Sequence, residues 1–417
     1  NGVIAKPAEE TPLIADQVVQ ELVAAGLPHG VLQLLPGDGK LGARLVAHRS
    51  IAGVVFTGST EAARSIQKTL AQRLGRDGRP VPLIAETGGQ NALVADSTAL
   101  PEQLVNDVLA SAFDSAGQRC SALRVLCVQE DIADHFVPML KQAMAELAVG
   151  NPLRLAVDIG PVISDEARQR LEQHVERMRA TGHTVHRLAL TDETRHGFFV
   201  TPTVIEVSSV PELKHEVFGP VLHVLRYARE HLDEVIRQVN ATGYALTFGV
   251  HSRIDETIER ATAASTAGNQ YVNRTIVGAV VGVQPFGGHG LSGTGPKAGG
   301  PLYLLRLLAE RPAGALPAEH DLPGPVGERN SYGVRPRGAV LCLADDPAER
   351  ARQQAIVRES GNRQARDEGD PDLGAVLFAG PGEDLLALQA RLAARDGPVV
   401  PVFVAPYPAE FLVGEVS

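Results

Sequence analysis

Short apolar runs and helix-length segments alternate along most of this chain, and that alternation limits the folds open to it. Thr11-Pro12 reads as a helix start, a hydroxyl able to cap free N–H groups followed by a residue with no N–H to satisfy. Ile14, Val18, Leu22 and Val23 follow at helical spacing, and Gly26 ends the run. "GVLQLL" (30–35) and "IAGVVF" (51–56), bounded by Gly, Pro or Asp, read as buried strands. The order continues with helix 61–74, strands "VPLIA" (81–85) and "NALVA" (91–95), helix 101–113, strand "LRVLCV" (123–128) and helix 131–147. It resumes with 215–227, helix 231–242, strand "ALTFGVHS" (245–252), a helix around 254–267 and strand "NQYVNR" (269–274). Strands separated by helices pair in parallel, so the fold class is α/β, a parallel sheet covered on both faces.

Breaks in that pattern mark the expected domains. "ERPAGALPAEHDLPGPVGERN" (310–330) is rich in proline and reads as a linker. Beyond it, "GAVLCLAD", "LGAVLFAG" and "EDLLALQARLAARDG" supply two strands and a helix, a small further α/β unit. The chain opens "NGVIAKPAEETP", a strand running straight into a helix, and stops at "FLVGEVS" without a polar tail, so a piece of a longer protein is expected.

Composition excludes some functions. Lys plus Arg total 39 against 49 for Asp plus Glu, a net charge of −10, so no basic stripe for nucleic acid is expected. No apolar run approaches the ~18 residues of a transmembrane helix. Cys120, Cys127 and Cys342 are too few and too unevenly placed for a disulfide framework or a zinc site, and the histidines show no paired metal-ligand spacing, so no metal is expected. A cytoplasmic location follows from the same reading.

Four stretches carry candidate chemistry. In "FDSAGQRCSALRV" (113–125) Cys120 stands between two arginines and two serines. Arg119 could lower its pKa or pair with a carboxylate, and the structural role is favoured. Phe56-Thr57-Gly58-Ser59-Thr60 lies at the carboxyl end of a strand and opens a helix, where N–H groups can face a phosphate. Glu86 follows a strand, and Gly88-Gly89 lets the backbone turn tightly beside it. "KPAEETP" (6–12) is the fourth. A glycine-dense loop, 277–300, suits backbone lying close to another segment or a ligand. Cys127 and Cys342 sit in apolar strands and read as core, and His289 reads as a structural loop residue.

Taken in order, these motifs resemble the aldehyde dehydrogenases over residues 1 to about 310. Thirty-four residues separate Glu86 from Cys120, and "EVFGPV" (216–221), "YVNR" (271–274) and "PFGGHGLSGTG" (285–295) stand in the family's order. The resemblance implies a Rossmann-type NAD-binding domain (1–89), an α/β catalytic domain (90–310), a linker (311–330) and a partial dehydrogenase-like extension (331–417). It implies that Cys120 is the nucleophile, its thiol pKa pulled down by a helix end or a cation, and that Glu86 is the base. It assigns NAD to Lys6, Glu9, Phe56, Thr57, Gly58, Ser59, Thr87, Gly88, Glu216 and Phe218. Glu9 should repel a 2′-phosphate and so favour NAD over NADP. Two departures stand out: the family's oxyanion-hole asparagine precedes "AKPAE" and is absent here, and Ala63 replaces a frequent glycine.

"DSAGQRCSALRVL" and "NRTIVGAVVGVQPFGGHGLSGTGPKAGGP" narrow the likeness to the glutamate-semialdehyde (pyrroline-5-carboxylate) dehydrogenases, and within them to the dehydrogenase part of the bifunctional proline-utilization enzymes. The implied substrate is L-glutamate γ-semialdehyde, its α-carboxylate held by Ser121, Gly278 and Ala279 and its stem by Phe286. FAD is expected only in a proline dehydrogenase domain outside this chain. The same resemblance implies a homo-oligomer, a dimer or larger. Two alternatives stay open: a dehydrogenase for another small aldehyde, and a catalytically incomplete assembly fragment.

Overall fold

The computed structural model describes residues 2–308 and 318–417. Its first unit contains β1 (Val3–Ala5), α1 (Pro12–Ala24), β2 (Leu32–Leu34), α2 (Gly39–Ala47), β3 (Val54–Thr57), α3 (Thr60–Leu70) and β4 (Leu83–Glu86). β1 pairs in parallel with β2, and β3 with β4, as two separate two-stranded sheets. Two expectations fail here. β2 and β3 are only partly buried, and α1 buries no residue: Leu13 and Ile14 stand 84% and 62% exposed. Thr11 occupies the N-cap position but its hydroxyl makes no capping bond, so Pro12 alone supplies the start signal. The apolar periodicity was read correctly as helix; periodicity cannot supply the partner that would cover it.

The second unit is built around one seven-stranded sheet with a separate two-stranded one beside it. β5 (Ala92–Ala95), α4 (Pro101–Phe113), β6 (Val125–Gln129), α5 (Glu130–Ala145), α6 (Asp165–Ala180), β7 (Val185–Arg187), β8 (Thr203–Val207) and β9 (Val221–Tyr227) come first. α7 (Leu232–Asn240), β10 (Tyr244–Ala245), β11 (Thr247–His251), α8 (Asp255–Ala264), β12 (Asn269–Val272) and β13 (His289–Gly290) complete it. Seven strands run in the order β12-β11-β5-β6-β9-β8-β7, every neighbouring pair parallel except β7 with β8. β5 and β6 are buried at every position, which is why they read as unbroken apolar runs and not as alternating ones. Helices α4 to α8 cover the two faces, and Phe113, Phe136, Leu140 and Phe248 pack in the core beside Cys127, which is fully buried as expected.

The proline-rich stretch expected as a linker falls partly on 309–317, outside the described residues. Its remainder carries β14 (His320–Leu322), paired with β15 (Asn330–Pro336). β16 (Ala339–Ala344), α9 (Pro347–Glu359), β17 (Arg363–Gln364), β18 (Leu373–Ala379), α10 (Gly382–Ala394) and β19 (Val402–Val404) form a four-stranded parallel sheet, β17-β16-β18-β19. Cys342 lies buried in it. The last strand, β20 (Val413–Val416), pairs with β15, and the chain beyond it runs beside β12: Ser417 N–H donates to the Gly268 carbonyl and Gln270 N–H to the Ser417 carbonyl. No helix among the described residues is long and apolar enough to cross a membrane.

Candidate active site

Cys120 is held by a turn that the sequence does not advertise. α4 ends at Phe113, and Ser115, Ala116 and Gly117 then adopt left-handed backbone, with φ of 57°, 53° and 64°. The first two are not glycine, so the turn stores strain of about 1 kcal/mol per residue. Gly117 must be glycine, because a Cβ there would run into the Gly219 carbonyl. From β5's leading edge, Asn91 Nδ2 donates to the Cys120 carbonyl at 2.7 Å and to the Ala122 carbonyl at 2.8 Å, fixing the far side of the turn.

The two arginines flanking Cys120 have opposite fates. Arg119 is half-buried and donates to Ser115 Oγ. Arg124 is completely buried. Its guanidinium donates to the carbonyls of Gly117 (2.7 Å), Arg119 (3.0 Å) and Gly219 (3.2 Å), pairs with Glu216 at 3.1 Å and lies over the Phe218 ring, 5.1 Å from its centroid. One side chain therefore ties both ends of the nucleophile turn to the "EVFGPV" loop. A planar fork with five donors can do this, and a lysine could not.

Behind Arg124 runs a second polar chain. Arg177 Nη2 lies 2.8 Å from His174 Nδ1, His174 Nε2 lies 2.9 Å from His223 Nε2, and His223 Nδ1 lies 3.1 Å from the Arg124 carbonyl. A guanidinium only donates, so His174 must carry its proton on Nε2 and His223 on Nδ1. Burial first, then Arg177 for His174 and the His174 ring with Arg124 for His223, hold His174 down to about 4 and His223 to about 3. Both rings are neutral near pH 7.

Glu86 closes the other wall. It ends β4, its Oε2 accepts from the Gly288 N–H at 3.2 Å, and its buried Oε1 has no hydrogen-bond partner. Burial pushes its pKa up to about 8, against the pull of the Gly288 N–H and Lys297. Tyr271 Oη is likewise buried with no hydrogen-bond partner among the described residues, and its ionisation is opposed by burial first and then by Cys120. The thiol itself departs from expectation. Burial first, then Glu216 and Glu86, push the Cys120 pKa up, while the Ser121 N–H pulls it down. The nearby cation, Arg124, interacts with Glu216 more strongly than with the sulfur, so the expected cationic pull does not prevail.

The remaining expected positions divide into two groups. Gly88 and Glu216 are brought together: a Cβ on Gly88 would collide with Glu216 Oε2. Thr87 is buried, its hydroxyl donating to the Leu291 carbonyl at 2.6 Å, and Ser121 is buried, its carbonyl accepting from Thr247 Oγ1. Phe218 presents an exposed ring beside Arg124, and Phe286 exchanges two backbone bonds with Ala298. Phe56 folds over Gly58, with Thr57, Gly58 and Ser59 exposed at the start of α3. The Ser59 hydroxyl caps that helix by accepting from the Ala62 N–H. Ala63 is buried against this small core, which explains its tolerance in place of glycine. By contrast, Lys6 Nζ donates only to the neighbouring Pro7 carbonyl, and Glu9 stands exposed in the turn after β1. Gly278 (φ 80°) and Ala279 lie in the 277–283 loop, and among the described residues neither forms a hydrogen bond to the other expected positions. That loop is anchored by the Ile276 N–H on Ser111 Oγ of α4. Arg124, Asn91, Tyr271 and the histidine pair were not anticipated; only the burial of an arginine inside an apolar run, "SALRVL", could have flagged one of them.

Comparison with known proteins fits this geometry. A profile of the Aldehyde dehydrogenase family matches residues 1–310. The Bifunctional protein PutA of Klebsiella aerogenes is 48% identical over 96% of this chain, which spans 37% of that protein's length. The 1-pyrroline-5-carboxylate dehydrogenase of Bacillus pumilus is 36% identical over 73% of this chain and 59% of its own. Among solved structures, a variant of Proline Utilization A from Bradyrhizobium japonicum aligns with a TM-score of 0.70 at 56% identity, over 73% of this chain and 31% of that one. A 1-pyrroline-5-carboxylate dehydrogenase from Thermus with bound NAD aligns with a TM-score of 0.67 at 36% identity, over 73% and 59%. On the match to residues 1–310, this chain belongs to the aldehyde dehydrogenase family.

Proposed function

We propose that this chain carries the NAD-dependent oxidation of L-glutamate γ-semialdehyde to L-glutamate. The observation that carries the reading is the convergence of one thiol, Cys120, with two carboxylates, Glu86 and Glu216, each of which acts on its ionisation. Perturbed titratable groups gathered in one cleft are a signature of chemistry. The names of the relatives above support the choice of aldehyde.

The residues present fit a dinucleotide. Gly88 leaves open the approach to Glu216 that any Cβ would block, and Ser59 stands exposed at the N-cap of α3, where a helix start favours a phosphate. Lys6 and Glu9 would hold the adenosine ribose, Phe56, Thr57 and Thr87 would line the path, and Glu216 and Phe218 would hold the nicotinamide end. NAD, when bound, accepts the hydride from the substrate carbon. The chain's own residues do the rest. Cys120 passes its proton to a neighbouring base, and its sulfur bonds to the aldehyde carbon, giving a hemithioacetal that becomes a thioester on oxidation. Glu86 then takes a proton from water, the hydroxide adds to the thioester carbonyl, and the carbon–sulfur bond breaks to release the carboxylic acid and the thiolate; the acid's proton passes to the thiolate, which leaves the carboxylate and restores the Cys120 thiol. The Cys120 N–H would donate to the oxygen that gains charge. Ser121, Gly278 and Ala279 would receive the α-carboxylate, with Phe286 along the stem.

The same reading includes a cytoplasmic homo-oligomer, with free Cys120, Cys127 and Cys342 suited to a reducing compartment. It also includes a flavin-bearing proline dehydrogenase domain elsewhere in the natural polypeptide. The test is to supply that polypeptide with NAD and glutamate semialdehyde and follow nicotinamide absorbance. Turnover at least tenfold higher than with propionaldehyde is expected, and equal or absent turnover overturns the assignment.

A further inference from the structure

Ser111, in the last turn of α4, is 1% exposed and holds two segments of the site at once. Its carbonyl accepts from the Leu123 N–H at 2.8 Å, on the far side of the nucleophile turn. Its hydroxyl accepts from the Ile276 N–H at 3.1 Å, two residues before Gly278. Two more residues on the same face of α4, spaced at intervals of four, extend that second contact. Gln103 Nε2 donates to the Asn273 carbonyl at 2.6 Å. Asp107 Oδ2 lies 3.4 Å from His251 Nε2, which is itself 3.4 Å from the Arg274 carbonyl. Ile276 is completely buried, and a Cβ on Gly249 of β11 would stand 2.6 Å from its Cγ2. The chain from 273 to 276 is thus fastened both along α4 and against the sheet. It then turns at Gly278, whose φ of 80° suits a residue without a side chain. A second tie follows: Gln284 Oε1 accepts from the Val280 N–H at 2.9 Å, and its Nε2 donates to Asn330 Oδ1 of β15 at 2.7 Å. Gly278 and Ala279 lie between the two ties, and neither N–H has a hydrogen-bond partner among the described residues.

We propose that Ser111 is a positioning residue that sets substrate specificity: with Gln284 as the loop's other tie, it fixes the separation between the Cys120 turn and the Gly278–Ala279 loop. The enzyme then selects aldehydes that carry a carboxylate at the matching distance. The inference rests on the reading of Gly278 and Ala279 as the seat of the substrate's α-carboxylate. The carbon chain between an aldehyde and a distant carboxylate has a limited span, so both ends must be received at once. Attack by the sulfur needs only the aldehyde end in place. The carboxylate end adds binding energy only where its two N–H donors are held ready, because ordering a loose loop on binding costs affinity. Without the Ser111 hydroxyl the Ile276 N–H is buried and unpaired, and the loop loses its tie to α4. The bond from Leu123 runs to the Ser111 backbone, so it does not depend on the side chain and the nucleophile turn keeps its support.

The test is the steady-state kinetics of the full natural polypeptide and its Ser111→Ala variant with two aldehydes. One is glutamate semialdehyde; the other is propionaldehyde, which has no carboxylate to place. Alanine favours a helix more than serine does, so α4 is retained. KM for glutamate semialdehyde should rise about fivefold, the worth of one hydrogen bond, with kcat little changed. For propionaldehyde kcat/KM should stay at the parent value, so the ratio of the two kcat/KM values falls by the same factor. Gln284→Ala, which frees the loop's other end, should lower that ratio in the same direction. A folded Ser111→Ala enzyme with the parent's selectivity overturns the proposal. So does one that loses both activities by the same factor, since support of the fold alone would do that. If Ser111→Ala shows no cooperative melting, Gln284→Ala decides, and an unchanged ratio there overturns the proposal equally. The parent enzyme separates the two layers. Equal turnover of both aldehydes by the parent sinks the carboxylate reading itself, whereas a selective parent beside an equally selective Ser111→Ala variant sinks this inference alone.

Discussion

The sheet behind Cys120 and the segment leading to Glu86 share the same alternation of strand and helix, yet they bury it very differently. Residues 92–272 make seven strands around one continuous core, with β5 and β6 closed at every position. Residues 3–86 make two pairs of strands and a helix with no buried residue. Every anchor of the nucleophile turn, from Asn91 to Arg124 and His223, stands on the first kind of structure. Lys6 and Glu9 stand on the second. The difference teaches that precision follows burial and not the segment: Glu86 also belongs to the second stretch, but it ends β4, whose first three residues are buried, whereas Lys6 and Glu9 stand on thinly covered chain.

The sharpest way to break this comparison is at the sulfur. Cys120→Ala should reduce nicotinamide formation about 10⁴-fold or more, whereas Cys127→Ala, in the core of the same sheet, should keep turnover and cost about 1 kcal/mol in urea unfolding. Equal losses in both would mean that the sulfur's position, and not its chemistry, decides activity. Next in size is Arg124→Met, which strands Glu216 and three carbonyls. It should lower stability by about 3 kcal/mol and slow the alkylation of Cys120 by iodoacetamide. Stability without a change in alkylation would detach Arg124 from the nucleophile turn.

A pH titration sharpens the same half. His174 and His223 are depressed in the fold to about 4 and about 3, against about 6.5 in an unfolded chain. Their contribution is therefore present above about pH 6.5 and is lost as pH falls through that value toward the folded ones, because the unfolded chain binds the protons first. The melting temperature should drop across that window, and His223→Gln should flatten the drop. The smallest expected effect lies in the nucleotide half: Glu9→Ala should raise KM for NAD a few-fold, by about 1 kcal/mol, with kcat unchanged. A large fall in kcat there would show that the thin half is as tightly coupled to the chemistry as the sheet.

Much of this was legible beforehand, and the misses have physical causes. Five of the seven strands of the catalytic sheet, β5, β6, β9, β11 and β12, were found because a strand buried on both faces is largely apolar, whereas β7 and β8 were missed. Glu86 and Cys120 were found because each stands at a break in such a pattern. The flanking arginines were not distinguishable, since charge and spacing treat Arg119 and Arg124 alike while the fold leaves one half-buried and buries the other completely. The direction of the Cys120 shift was misread for the same reason. The nearby cation was anticipated, but its pairing with Glu216, ninety-two residues away, was not. The linker expectation overlooked a strand pairing, 320–322 with 330–332, that proline content tends to hide.

The amino-acid order by itself determined the class of fold, the position of the thiol and the glutamate, and the family to which both belong, because burial and turn formation act locally on residue type. Only the tertiary structure decided which charges face one another. The pairing of Arg124 with Glu216 and the neutral histidine chain both depend on segments far apart in the chain. Electrostatic energy falls with distance through space and is indifferent to distance along the backbone.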